Sequence, residues 1–173
     1  MAADAILITL EALLVPGADE PVALEEAPAA LRRMGWIAPR VVIAGSQVDG
    51  RRLPEEPSER EAWVRSVLGE GDYDVISFEA PISERGTDGV ERAAESWRDL
   101  RQAQVASWLV TEASAQVGPA HAGGLQVIMI GPADADPGAV PPDYRARDLR
   151  DAIGHLLAVD VFDAPAHGLT SPL

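Results

Sequence analysis

Apolar residues along this chain fall in short unbroken runs, separated by stretches whose apolar positions recur with helical spacing. The first run, Ala5-Ile-Leu-Ile-Thr-Leu10, lacks polar alternation. It predicts a strand buried on both faces, as in a parallel sheet. Arg40-Val-Val-Ile-Ala44 reads the same way and ends at Gly45-Ser46. Asp74–Phe78 and Leu125–Ile130 complete four predicted strands, the last being the most apolar. A short helix is predicted over 27–34, with Pro28 in its first turn and Gly35 placed to cap its end. A second helix spans 58–68. There Ser58 and Glu61 have capping-box spacing, Trp63, Val64, Val67 and Leu68 form a stripe, and Gly69 stops the element. After a polar loop over 80–95, Ser96 and Asp99 again suggest a cap. The pattern predicts one long helix to about 117, with Leu100, Val105, Trp108 and Leu109 on its apolar side. Four prolines make 131–142 irregular. A last helix is predicted over 143–157, with Leu149, Ile153, Leu156 and Leu157 inward. A short strand at 159–162 follows, in a tail partly irregular to residue 173. All four tryptophans read as core or boundary residues. Trp97 borders the strand ends, where it could stack on a ligand.

Strands alternating with helices predict an α/β fold, a three-layer α/β/α sandwich around a mostly parallel sheet. The length suits a single domain over 1–173. Chemistry in such folds gathers at the carboxyl ends of the strands. The segments of interest are therefore 9–17, 45–52, 79–99 and 131–137.

Composition narrows the function classes. The formal net charge is −14, which argues against a nucleic-acid phosphate backbone or an anionic membrane as partner. Without cysteine there is no disulfide, thiolate zinc site or iron–sulfur cluster. All 14 basic residues are arginine, so Schiff-base lysine chemistry and a P-loop lysine are excluded. His121, His155 and His167 are widely spaced, and no G-x-S-x-G elbow occurs. The apolar run from Ala5 lacks a basic leader and is interrupted by Glu11, so it does not read as a signal peptide, and the expected location is the cytoplasm. The apolar tail Val159-Asp-Val-Phe162 could pair with a sheet edge or with a second subunit, leaving a homodimer possible. Gly45-Ser46-Gln47 either binds a small anion through backbone amides or simply turns the chain.

The ends of the four predicted strands, in this order, resemble the haloacid-dehalogenase-like (HAD) phosphatases. The likeness is to the capless branch with histidinol-phosphate and heptose-bisphosphate phosphatases, and it runs to about residue 140. That family opens with a strand running into D-x-D-x-T. Here the stretch is Thr9-Leu-Glu11-Ala-Leu13, with Thr9 at the nucleophile position, Glu11 at the acid/base position and Leu13 for the threonine. The family's T-N-Q after strand two matches Gly45-Ser46-Gln47. Its R-K-P motif matches Trp97-Arg98-Asp99, with Asp99 in place of the lysine. Its G-D-S-x-x-D after strand four matches Gly131-Pro132-Ala-Asp134-Ala-Asp136, with Pro132 at the main metal position.

The resemblance implies a strand-to-loop flap around Glu11, Ser46, Gln47 and Arg98 as ligand contacts, and Asp134 and Asp136 as metal ligands. It also implies a magnesium-assisted aspartyl-phosphate mechanism. A threonine hydroxyl is a poor nucleophile without a strong base and a weaker magnesium ligand than a carboxylate. An aspartate at the lysine position repels phosphate. The expectation is a non-catalytic pseudophosphatase needing no cofactor and acting through a protein partner or a small anionic ligand. The alternative is a divergent magnesium-dependent phosphate-ester hydrolase using Glu11. A flavodoxin-like domain with no flap after Glu11 is the third reading.

Overall fold

A computed structural model describes residues 4–45, 47–48, 50–78, 87–132 and 140–163. The main sheet has six strands: β1 (Ala5–Thr9), β2 (Arg40–Ala44), β5 (Asp74–Ile76), β6 (Trp108–Thr111), β7 (Gln126–Ile130) and β8 (Tyr144–Ala146). Their order is β5-β2-β1-β6-β7-β8, and every neighbouring pair is parallel. Two further strands, β3 (Gln47–Val48) and β4 (Arg51–Arg52), form a small antiparallel ribbon beyond β2. The helices are α1 (Ala27–Ile37), α2 (Pro57–Leu68), α3 (Thr87–Gln102), α4 (Val117–Ala122) and α5 (Leu149–Asp163).

Alternation along the central strands divides the core into two layers. Ile6, Ile8, Val41, Ile43, Val110 and Ile128 pack with α1, α2 and α5. Leu7, Val42, Leu109 and Val127 pack on the other face with Trp97 of α3 and with Val117 and Ala120 of α4. Because both faces are covered, β1 is apolar at every position before Thr9. This is the three-layer α/β/α sandwich with a parallel sheet that the strand–helix alternation predicts.

The long helix expected to 117 is instead a helix, a strand and a second helix. α3 ends at Gln102 in a left-handed turn, with Gln104 at φ 56°. Gln104 N–H donates to the Arg101 carbonyl and Val105 N–H to the Leu100 carbonyl, a Schellman closure. Such a closure usually announces itself by a glycine, and here a glutamine holds it. The chain then turns back as β6, between β1 and β7. The helix predicted over 143–157 begins only at Leu149, because Tyr144–Ala146 pair with β7 as β8, and the strand expected at 159–162 is the last turn of α5. α1 runs through Gly35 to Ile37. α2 begins with Pro57 in its first turn and has no side-chain cap, so the Ser58–Glu61 box does not form.

Two tryptophans depart from their expected settings. Trp97 is fully buried, 4.4 Å from the Phe78 ring, and cannot stack on a ligand. Trp36 is 75% exposed, because Ala27, Ala30, Leu31, Met34 and Ile37 take the inward face of α1.

Candidate functional site

The direction of strand succession reverses at β1: β2 lies on one side of it and β6 on the other. Such a switch point opens a crevice at the carboxyl ends of the strands. Thr9 is the last residue of β1 and stands level with Ala44 of β2. The next turn of chain, Leu10–Leu13, is a short 3₁₀ helix that carries Glu11 outward and buries Leu10, Ala12 and Leu13. A hairpin-like flap follows, closed by the Leu14–Ala23 bridge and by the Val15 N–H donating to the Val22 carbonyl at 2.8 Å. The flap expected after Glu11 is present, against the flavodoxin-like reading. Leu10 also packs beneath Gly45. A Cβ there would stand 3.0 Å from the Leu10 Cβ, so glycine lets the β2 end approach the turn.

Thr9 Oγ1 is buried and has no hydrogen-bond partner. Most buried hydroxyls find one. Across the crevice, Thr111 ends β6 fully buried; its Oγ1 accepts from the Ala113 N–H at 3.1 Å and lies 3.4 Å from Gln116 Oε1. The next residue, Glu112, is exposed, as is Glu11. Gln47, Arg51 and Arg52 are exposed on the β3–β4 ribbon beyond β2.

The sequence-predicted residues are not all brought together. Thr9 and Glu11 share the β1 end, and Gln47 lies past the neighbouring β2 end. Ser46, Asp134 and Asp136 lie outside the described residues. Arg98 does not join Thr9. Its backbone nitrogen lies 2.9 Å from where a Gly123 Cβ would stand, and Gly123 precedes the start of β7. Arg98 therefore stands near the amino ends of the strands, and the two ends of β1 are roughly 13 Å apart. The segment from Gly131 to Pro132 leaves β7, one strand removed from β1. It is tied to β8 by the Gly131 N–H donating to the Ala146 carbonyl and by Arg145 Nη1 donating to the Pro132 carbonyl at 2.8 Å.

No protein-family model matches the chain, and no curated protein does. Solved structures do. D,D-heptose 1,7-bisphosphate phosphatase from Burkholderia thailandensis superimposes with a TM-score of 0.58 at 18% identity, over 90% of this chain and 99% of that one. The B. bronchiseptica enzyme of the same name, solved with magnesium and phosphate, gives 0.60 at 15% identity over the same shares. The cobalt-bound deoxy-D-mannose-octulosonate 8-phosphate phosphatase of Haemophilus influenzae gives 0.56 at 12%, over 94% of both chains. The fold is that of the haloacid-dehalogenase-like superfamily.

In this HAD-like sheet the fourth main strand in chain order is β6, not β7. The segment that leaves the fourth strand is therefore Thr111-Glu-Ala-Ser-Ala-Gln116, while Gly131–Pro132 leaves the fifth. Sequence reasoning misses this segment because β6 lies inside an apparent helix. The signal was the uncharged stretch Val105–Thr111, rich in β-branched and aromatic residues. Magnesium prefers several anionic oxygens. Among the described residues no group of three or more His, Asp or Glu side chains converges, and Thr9 offers a neutral oxygen. The described donors do not by themselves make a magnesium site. Among the described residues, no helix is long and apolar enough to cross a membrane.

Proposed function

We propose that this HAD-like protein is a binding protein that does not carry out aspartyl-phosphate chemistry, and that it holds a small ligand or a partner's side chain at the carboxyl ends of β1 and β6. The observation that carries this reading is Thr9 Oγ1, buried and unpartnered at the end of the central strand. As a nucleophile it has no general base within hydrogen-bond reach among the described residues, and an unactivated hydroxyl is a weak attacker. As a binding group it is well prepared. An unsatisfied buried hydroxyl costs about 1–3 kcal/mol, which a hydrogen-bonding ligand recovers.

The test is phosphate release from a simple aryl phosphate with magnesium, alongside calorimetric titration of magnesium and tungstate. The expected result is no turnover by the native chain, and measurable tungstate binding that weakens in Thr9→Val. Turnover by the native chain that disappears in Glu11→Gln would overturn the reading. It would instead support a divergent magnesium-dependent phosphate-ester hydrolase. The placement of Glu112 beside β1 is what favours that second reading.

A further inference from the structure

Away from the strand ends, a groove of about 240 Å³ separates α1 from the segment that joins α2 to β5. Leu31 forms the apolar wall on the α1 side, and Leu68 and Tyr73 form the opposite one; all three are buried. Trp36 stands on the α1 lip. At 75% exposure it is the most exposed large apolar side chain among the described residues. An indole held in water beside an apolar groove is a familiar anchor for an interface, where tryptophan is enriched.

The charges around the groove are arranged across it. Arg32 lies on the α1 lip, and Glu70 and Asp72 lie on the other. Arg65 already engages Glu70 at 3.3 Å. Arg32 and Asp72 are exposed and form no ion pair among the described residues. Knob and hole, cation and anion thus occupy one small patch. That is the requirement of a two-fold interface, in which residue i meets j and j meets i. The patch is also locally near neutral in a chain of net charge −14. Two copies could meet here without the repulsion that most of such an acidic surface would impose.

We infer that this face pairs two copies of the chain, each Trp36 entering the partner's groove and each Arg32 facing the partner's Asp72. The inference is independent of what the strand ends bind.

Sedimentation velocity of the full chain, from low to high micromolar concentration, tests it. A concentration-dependent dimer is expected. Trp36→Ala and Asp72→Arg should each leave a monomer, with at least a tenfold weaker association. Both positions are exposed, so the variants should keep the native circular dichroism and melting point. The double variant Arg32→Asp with Asp72→Arg exchanges the charges on every copy and should restore the dimer. A monomer throughout the range overturns the proposal. So does a dimer that Trp36→Ala leaves intact, or a Trp36-dependent dimer that the charge exchange fails to restore. Sealing of the groove by a small molecule would appear as a monomer and counts against it equally.

Discussion

The two ends of β1 carry hydroxyl groups in opposite circumstances. At the amino end, Ser107 reaches across from the chain before β6. Its Oγ donates to the Ala5 carbonyl at 2.8 Å and accepts from the Ala5 N–H at 3.3 Å. Other polar groups at that end are engaged too. Asp143 Oδ2 accepts from the Val127 N–H at 2.7 Å and lies 2.7 Å from His121 Nε2, and Arg40 pairs with Asp74 at 2.8 Å. At the carboxyl end, Thr9 Oγ1 has no partner, and Glu11 makes no ion pair among the described residues. The same strand is closed where it only has to be stable and open where a ligand would arrive. Among the described residues one other buried polar side-chain atom lacks a partner, Trp97 Nε1, which lies in the core layer under α3 and not at the end of β1.

The strongest way to break this comparison is to disturb the amino end. Gly123 leads into β7 where α3 crosses. A Cβ there would fall 2.5 Å from the Trp97 Cβ, 2.9 Å from the Arg98 nitrogen and 3.0 Å from the Ala94 carbonyl oxygen. Two of these are backbone atoms, so no rotamer change relieves the clash. Gly123→Ala should lower stability by about 3 kcal/mol in urea unfolding. A loss within experimental error would mean that α3 can move away from the sheet, and that the amino end is not the rigid half of the molecule.

The sequence made the rigid half more legible than the open one. β1, β2 and β7 are buried on both faces, and their unbroken apolar runs mark both the strands and their places. β6 is equally buried but short, and the helix before it ends on Gln104 rather than a glycine, so no punctuation marked the boundary. β8 has three residues, two of them half-exposed, and shows no apolar run. The site followed the strands. Thr9 and Glu11 are legible because β1 is; the segment after Thr111 is not, because β6 is not. Arg98 was assigned by its place in a motif. The pitch of α3 carries it to the other end of the sheet, which linear spacing does not reveal.

A pair of hydroxyl deletions sharpens the comparison with smaller effects of opposite sign. Ser107→Ala removes two hydrogen bonds and should cost about 1 kcal/mol. Thr9→Val keeps the shape and deletes an unsatisfied group, and should be neutral or stabilising by up to about 1 kcal/mol. Thermal melts of the two variants side by side decide it. Equal losses would mean that the Thr9 hydroxyl has a partner in solution, and the contrast between the two ends would disappear.

The smallest effect is a change of slope. His155 of α5 stacks on Tyr144 at 3.8 Å with the rings nearly parallel, and meets the edge of Trp108, the first residue of β6, at 6.3 Å. Burial holds its pKa below the ordinary histidine value, against the opposing pull of Asp151 and Asp143. A histidine that protonates less readily when folded favours the folded state fully above its unfolded pKa, near 6.5. That contribution is lost as pH falls from there through the depressed folded value. Asp151 shifts downward, chiefly through the Arg147 N–H that donates to it, so its own contribution disappears only in stronger acid. Between pH 7 and 5 the melting temperature should therefore fall with a component due to His155. His155→Phe, which keeps an aromatic ring on Tyr144, should flatten that part of the curve. An unchanged slope would place the acid sensitivity elsewhere and show that the packing around β6 tolerates a charged imidazole, a looser amino end than its satisfied hydrogen bonds imply.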